Sequence, residues 1–436
     1  MNTVAAPARG PAAAPASAPG GREGGVAAGL RYGALGLPLA FVALPLYVLL
    51  PNHYASAYGV PLATLGALLL AVRLFDAVVD PFLGLVVDRL FAGSRARLLA
   101  TAAGAAALLA VAFHGLFFPP VHAGAALLAW CAALLVAAYL GYSLLAVLHQ
   151  AWGARLGGDA AGRARVVSWR EGLALAGVLV ASVLPSLAGL AVTSAVFAVA
   201  LVLGLLLLAQ APRPLAALSA PRFDWRLPLA TPAFRRLLAV YLVNGIASAV
   251  PATLVLFFVR DRLQAPAWEP VFLASYFAAG ALAMPLWVRL VARLGLARSW
   301  LAGMALAVAA FVWAFSLGAG DTLAFTAVCV ASGAALGADL ALPAALLAGV
   351  VRAAGHTGRE GAYFGWWNFA TKLNLALAAG VALPLLGAFG YAPGVRTPEA
   401  LGALAAAYCL LPCALKLAAG ALLWRCRSRL HEETER

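Results

Sequence analysis

The sequence predicts an all-α polytopic membrane protein of twelve transmembrane helices in two six-helix halves, and three observations carry that prediction. Of its 436 residues, 64% are hydrophobic and only 11% are charged, and the mean hydropathy is +0.94, a balance foreign to water-soluble domains. Apolar runs recur between Pro, Gly and charged breaks, each long enough to cross ~30 Å of hydrocarbon. Arginines gather in alternate links, as the cytoplasmic loops of a membrane protein require. The net charge of +14 is therefore read as orientation, and nucleic-acid binding is excluded.

In chain order, residues 1–28 are Ala, Pro and Gly with scattered arginines and no signal-peptide pattern, so a disordered cytoplasmic tail is expected. The N-terminal half, 29–211, carries spans near 32–51, 61–87, 98–118, 123–149, 169–189 and 191–211. Residues 212–235, rich in Pro and Arg, form the longest interior polar stretch and read as a central cytoplasmic linker. The C-terminal half, 236–424, carries spans near 236–259, 270–292, 299–318, 322–350, 362–387 and 400–424, and a cytoplasmic tail closes the chain at 425–436. Links with Arg89, Arg95 and Arg97, with Arg155, Arg163 and Arg165, with Arg293 and Arg298, and with Arg352 and Arg359 alternate with links nearly free of arginine. Both termini are then cytoplasmic, which demands an even number of spans. Arg260 and Arg262 are the exception, offset by Asp261 and Glu269. The Ala- and Arg-heavy usage, with Lys372 and Lys416 the only lysines, suggests a bacterial inner membrane. The five cysteines show no CxxC and no Cys/His cluster, so neither a disulfide framework nor a zinc site follows.

The chemistry concentrates in Arg73 to Arg89, RLFDAVVDPFLGLVVDR. Arg73, Asp76 and Asp80 fall near the middle of the second span and share one helical face with Gly84 and Asp88. Each charge at that depth costs roughly 2.5–3.5 kcal/mol, so the three must pair, bind an ion, or both. Two carboxylates one turn apart offer hard oxygen ligands to a small cation, while an empty pair repels and favours a proton; Na+ and H+ both remain open. Arg73 and Lys372 would offset the two acids.

The sequence from Arg73 to Gly84, read as Arg-x-x-Asp-Ala-x-x-Asp-Pro-x-x-Gly, resembles the glycoside-pentoside-hexuronide:cation symporters, the melibiose-permease-like family of the major facilitator superfamily. Tyr32 to Gly36, Gly153 to Arg170, Arg359 to Lys372 and Gly390-Tyr391 extend the likeness over nearly the whole chain. Gly84-Leu85-Val86-Val87-Asp88-Arg89 also resembles the superfamily's Gly-x-x-x-Asp-Arg signature, with the following basic residues displaced to Arg95 and Arg97. The resemblance implies a secondary transporter rather than an enzyme, with a major-facilitator fold and alternating access. It assigns cation binding to Asp76, Asp80 and Ser143, an approach to that site to Lys372, and a cytoplasmic latch to Gly84, Asp88 and Arg89. No cofactor is implied beyond the coupling ion, and the expected partners are that cation, a small-molecule substrate and membrane lipids, with the chain acting as a monomer.

Departures bear on substrate. The family's sugar-recognising acids fall at or beside Pro38 and at Ala146, so a site lined by Leu37, Pro38, Pro45, Ala146 and Leu148 suits an ordinary disaccharide poorly. A less polar solute, including a lysolipid-like amphiphile, is the alternative, as is a non-coupled lipid mover. A lipid-modifying membrane enzyme is the remote rival, but the Asp-x-x-x-Asp-Pro spacing lacks the paired Asp-x-x-Asp motif that divalent-metal head-group transferases use.

Tyr142, Asn244, Asn368 and Trp367 are candidate cavity residues, although Asn between helices also serves as packing glue. Asp339, mid-span without a helical partner, has three open roles: pairing with Lys372, binding substrate, or a plain interhelical salt bridge. Lys372 is placed about seven residues into its span, where snorkelling competes with a site role. Lys416, two turns from Trp424 and Arg425, is expected to snorkel. Arg170 and Glu171 are expected at the interface, and His149 as a satisfied polar group.

Overall fold

The computed structural model describes residues 25–215, 224–388, 390–391, 394–395 and 397–435. Parts of the expected N-terminal tail, central linker and C-terminal tail, namely 1–24, 216–223 and 436, lie outside the described residues.

Long helices succeed one another, with no strand among the described residues. α1 (26–58) joins Val26–Gly33, Gly36–Phe41, a π-helical turn at Pro45–Leu49 and Leu50–Tyr58. α2 (Leu62–Ala92), α3 (Arg95–Phe117) and α4 (Gly124–Ala154) follow. Ala160–Ala209 is one 50-residue helical stretch broken at Gly189 (φ 78°, ψ 170°) into α5 (160–188) and α6 (190–209). The second half is α7 (Pro232–Arg262), α8 (Glu269–Leu294), α9 (Leu296–Phe315), α10 (Thr322–Ala353), α11 (Glu360–Ala388) and α12 (398–435), which contains a π-helical turn at Ala406–Leu410. Gly295 between α8 and α9 repeats the Gly189 conformation (φ 78°, ψ 169°), a left-handed backbone only glycine adopts freely, so at each point a single residue separates two long helices.

By length and hydropathy, nine segments qualify to cross a membrane among the described residues, against twelve expected. The 50-residue stretch that Gly189 divides counts once, and α2 and α11 do not qualify. Those two helices carry the charges of the cluster described below, which lower their mean hydropathy.

Boundaries move in four places. The helix starts at Val26, inside the expected tail 1–28, and α12 runs on to Glu435, through the expected tail 425–436. The linker contains a one-turn helix, Leu227–Ala230, and α7 begins at Pro232. α5 starts at Ala160 instead of near 169 because Asp159 caps it, its carboxylate accepting from the Gly162 amide at 2.7 Å. That extension places Arg170 and Glu171 inside the bundle.

The halves meet along α2 against α11 and α5 against α8 and α10. α2 and α11 approach backbone to backbone: a Cβ on Gly84 would collide with the Gly361 carbonyl, and one on Gly365 with the Asp80 carbonyl. Small residues permit such contact between membrane helices. It is tightest toward the ends of α2 and α11 that share a side with the chain termini, called here the terminal side.

Candidate functional site

The 3.6-residue period of α2 puts Asp76 and Asp80 on the face turned to α4 and α11. Both are buried, 4% and 0% exposed. Lys372 reaches them from α11, its Nζ 2.7 Å from Asp76 Oδ1 and 2.7 Å from Asp80 Oδ2. The ammonium also donates to Ser143 Oγ at 2.9 Å, and Ser143 donates to Asp76 Oδ1 at 2.8 Å. Asp76, Asp80, Ser143 and Lys372 therefore form one cluster, as the sequence implied. Because α11 begins at Glu360, Lys372 lies twelve residues inside it, ~18 Å along the axis, and its head turns inward rather than snorkelling.

The predicted role of Arg73 does not survive. Arg73 is exposed, its guanidinium stacks over the Tyr47 ring at 4.3 Å, and it makes no ion pair among the described residues. Two acids thus face one ammonium, a local sum of −1 rather than zero. Asp80 Oδ1 is buried without a hydrogen-bond partner among the described residues. The oxygens around the ammonium suit a monovalent cation, and no group of three His, Cys, Asp or Glu side chains able to hold a metal ion occurs among the described residues.

Of the roles open to Asp339, the structure shows the plain interhelical salt bridge, between α10 and α12. Asp339 pairs not with Lys372 but with Lys416, Nζ to Oδ2 2.7 Å. Lys416 does not snorkel; it is 3% exposed and also donates to Asn244 Oδ1 and Ser248 Oγ, each at 3.1 Å. Asn244 Nδ2 (3.0 Å) and Trp300 Nε1 (2.9 Å) donate to Asp339 Oδ1, and Ser248 (3.1 Å) to Oδ2. Asn244 is consequently a member of this C-terminal cluster, not a cavity residue.

A central cavity of about 240 Å³ lies between the halves. Tyr142, Trp367 and Asn368 line it as predicted, with Trp367 stacked on Tyr241 at 3.7 Å between centroids. Arg170, Glu171, Gln150, His149 and one face of Asp339 line it too. Arg170 and Glu171, expected at the interface, are an ion pair at 2.6 Å with Arg170 7% exposed. Of the five apolar residues expected to line the site, Ala146 does, but the acids missing at Pro38 and Ala146 have counterparts on α5 and α10. His149 and Tyr32 bond reciprocally, ring nitrogen Nε2 to the Tyr32 carbonyl at 2.7 Å and Tyr32 hydroxyl to the His149 carbonyl at 3.0 Å, so His149 ties α1 to α4. A larger basic cleft of about 1160 Å³, lined by Arg31, Arg95, Arg165 and Arg213, lies on the terminal side, away from the lysine cluster.

Toward the terminal side the halves are latched. Asp88 receives the Gly361 and Ala362 amides at the start of α11, at 2.7 and 2.8 Å, and pairs with Arg155 at 3.0 Å. Arg155 in turn pairs with Glu360 at 2.9 Å. An anion at a helix N-terminus meets unpaired amides and the favourable end of the dipole. Gly84 and Asp88 hold the predicted places; Arg155, the C-cap of α4, supplies the charge on Asp88, while Arg89 is exposed in the last turn of α2. Arg352 reinforces the contact by donating to the Gly158 carbonyl at 2.9 Å. His356, in the α10–α11 link, is pushed below the usual histidine value by burial and by Arg359, and its Nδ1 lies 2.5 Å from the Tyr363 hydroxyl.

Comparison with known proteins agrees with this layout. The sequence matches the family described as MFS/sugar transport protein over residues 29–428. No curated protein matches it. Among solved structures, a bacterial homologue of the iron transporter ferroportin in the outward-facing state superposes with a TM-score of 0.70 at 17% identity, covering 93% of this chain and 100% of that one. The major facilitator superfamily transporter FucP in the outward conformation gives 0.62 at 15% identity, covering 91% and 99%. At such identities the likeness shows the fold alone, and the folds matched are those of transporters rather than enzymes.

Proposed function

Since the chain belongs to the MFS/sugar transport protein family, an integral membrane family of transporters, we propose that it couples a monovalent cation, Na+ or H+, to symport of a small organic solute by alternating access. The observation that carries the proposal is the Lys372 ammonium, held by Asp76, Asp80 and Ser143 where a net charge of −1 remains and Asp80 Oδ1 is unpartnered. A cation entering there takes the place of the ammonium among the same oxygens and brings the cluster, lysine included, to neutrality.

The coupling follows from placement. Lys372 and the latch lie on the same helix pair, and Asp80 and Asp88 are two turns apart on α2. Displacing Lys372 from α2 weakens the seam that Gly84, Gly361 and Gly365 allow to close, so ion entry biases the latch through one rigid interface. With the terminal side cytoplasmic, the latched state is outward-facing and the chain sits in a bacterial inner membrane as a monomer. The solute binds in the central cavity against Glu171, Asp339, Asn368 and the Tyr241–Trp367 stack. Cavity ion pairs cancel, Arg170 with Glu171 and Lys416 with Asp339, which favours a neutral or zwitterionic solute.

The test is thermal stability of the purified protein in Na+, Li+, K+ and across pH, for wild type, Asp76→Asn and Asp80→Asn. An ion at ~100 times its dissociation constant adds about 2.7 kcal/mol to the folded state. Stabilisation by Na+ over K+ that vanishes in both variants supports sodium coupling, and a response to pH alone supports the proton. A wild type indifferent to both ions and pH defeats the proposal.

A further inference from the structure

Beside the central cavity the C-terminal half holds a second hollow, an apolar recess of about 150 Å³ between α7, α8, α9, α10 and α12. Along α10 the recess residues Val328 to Leu336 lie nearer the side opposite the termini, and the cavity residues Leu340 to Ala344 nearer the terminal side. Asp339 lines both. At its mouth Ala252 and Leu273 are exposed; its wall includes Phe311, and Tyr408 lies deeper at 5% exposure. Tyr408 lines the recess among mostly apolar neighbours.

We infer that this recess is the subsite for a single ring-sized, neutral apolar group of the carried solute, whose polar part occupies the central cavity on the other side of Asp339. The inference rests on the transport reading above. Three features define the occupant. A hollow near 150 Å³ with mostly apolar walls has the capacity for one benzene-sized ring. Its floor is the Lys416–Asp339 pair, whose carboxylate already receives four donors and whose ammonium already has three acceptors, so no ionic group of the solute is invited there. Tyr408 offers one hydroxyl to a polar substituent on the ring. The volume excludes a long acyl chain, which separates this occupant from a lysolipid.

Cys329 lines the recess and serves as its reporter. Protein in lipid nanodiscs is treated with benzyl methanethiosulfonate or with its trimethylammonium-ethyl counterpart, and each cysteine is read by mass spectrometry. We expect the benzyl reagent to modify Cys329 at least tenfold faster than the cationic one, and Ala252→Trp, at the exposed mouth, to remove that preference. Phenyl β-glucoside should protect Cys329 where methyl β-glucoside does not. Equal modification by both reagents, no modification of Cys329, or protection by neither glucoside overturns the inference. The ion and pH response of the same sample separates the two readings: if the protein is indifferent to both while Cys329 behaves as expected, cation coupling falls and the recess stands, and if a response is present while Cys329 fails, the reverse holds.

Discussion

Two mid-span lysines, the half-buried Lys372 and the buried Lys416, are each held by three side-chain oxygens, yet they sit in opposite electrostatic situations. The Lys372 cluster spans both halves, has two acids for one base, and leaves Asp80 Oδ1 without a partner among the described residues. The Lys416 cluster lies within one half, has one acid for one base, and satisfies both carboxylate oxygens twice over. An ion pair that is complete holds helices together; one that is short of a charge is poised to accept a ligand. Charge balance and hydrogen-bond satisfaction set the two clusters apart.

The contrast can be broken by removing each lysine. We expect Lys416→Met to cost about 3–5 kcal/mol of stability, because Asp339 is left buried and unpaired. Adding Asp339→Leu should recover much of it. Lys372→Met should cost far less once Na+ or a proton compensates Asp76 and Asp80; chemical denaturation in sodium and in choline buffers measures both, and an equal loss in the two variants would erase the distinction. Next in size, Asp80→Asn should abolish the ion-dependent stabilisation of about 2.7 kcal/mol expected at ~100 times the dissociation constant, while Asp339→Asn leaves it in place. Smaller is Gly84→Val: overpacking the α2–α11 seam by roughly 1–3 kcal/mol shifts the latched state toward its alternative by ~10- to 100-fold, read as a longer spin-label distance between the terminal-side ends of those helices. Smallest is pH. His356 is favoured neutral in the folded protein, so its contribution is present above the unfolded value near ~6.5 and is lost as pH falls below it. A slight drop in melting temperature between pH 7 and 5 should disappear in His356→Gln.

Much of this was readable in the sequence, for physical reasons. Asp76 and Asp80 were legible because the helical period is local, and the spans because hydropathy is averaged over many residues. Lys372 was recognised as a candidate, but its depth was underestimated because the polar start of α11 lies outside the apolar run. The same error, with the Asp159 cap unnoticed, put Arg170 and Glu171 at the interface. Lys416 and Asp339 were misread because their contact joins residues 77 apart across helices, which no local pattern encodes. A signal did exist: each is a lone mid-span charge in the same half, of opposite sign, and two such charges lower their cost by meeting. Arg155 escaped notice as a loop arginine, although only the assembled fold brings it to Asp88.

The seam of α2 and α11 has a consequence in time. Asp76 and its lysine are 296 residues apart in the chain, so at about 5–20 residues per second the ribosome emits the acid roughly 15 to 60 s before its partner. During that interval the newborn first half holds two acids in hydrocarbon with no ammonium to meet them. A proton or a captured cation is the natural substitute, so the emerging first half needs a counter-charge of its own long before Lys372 arrives.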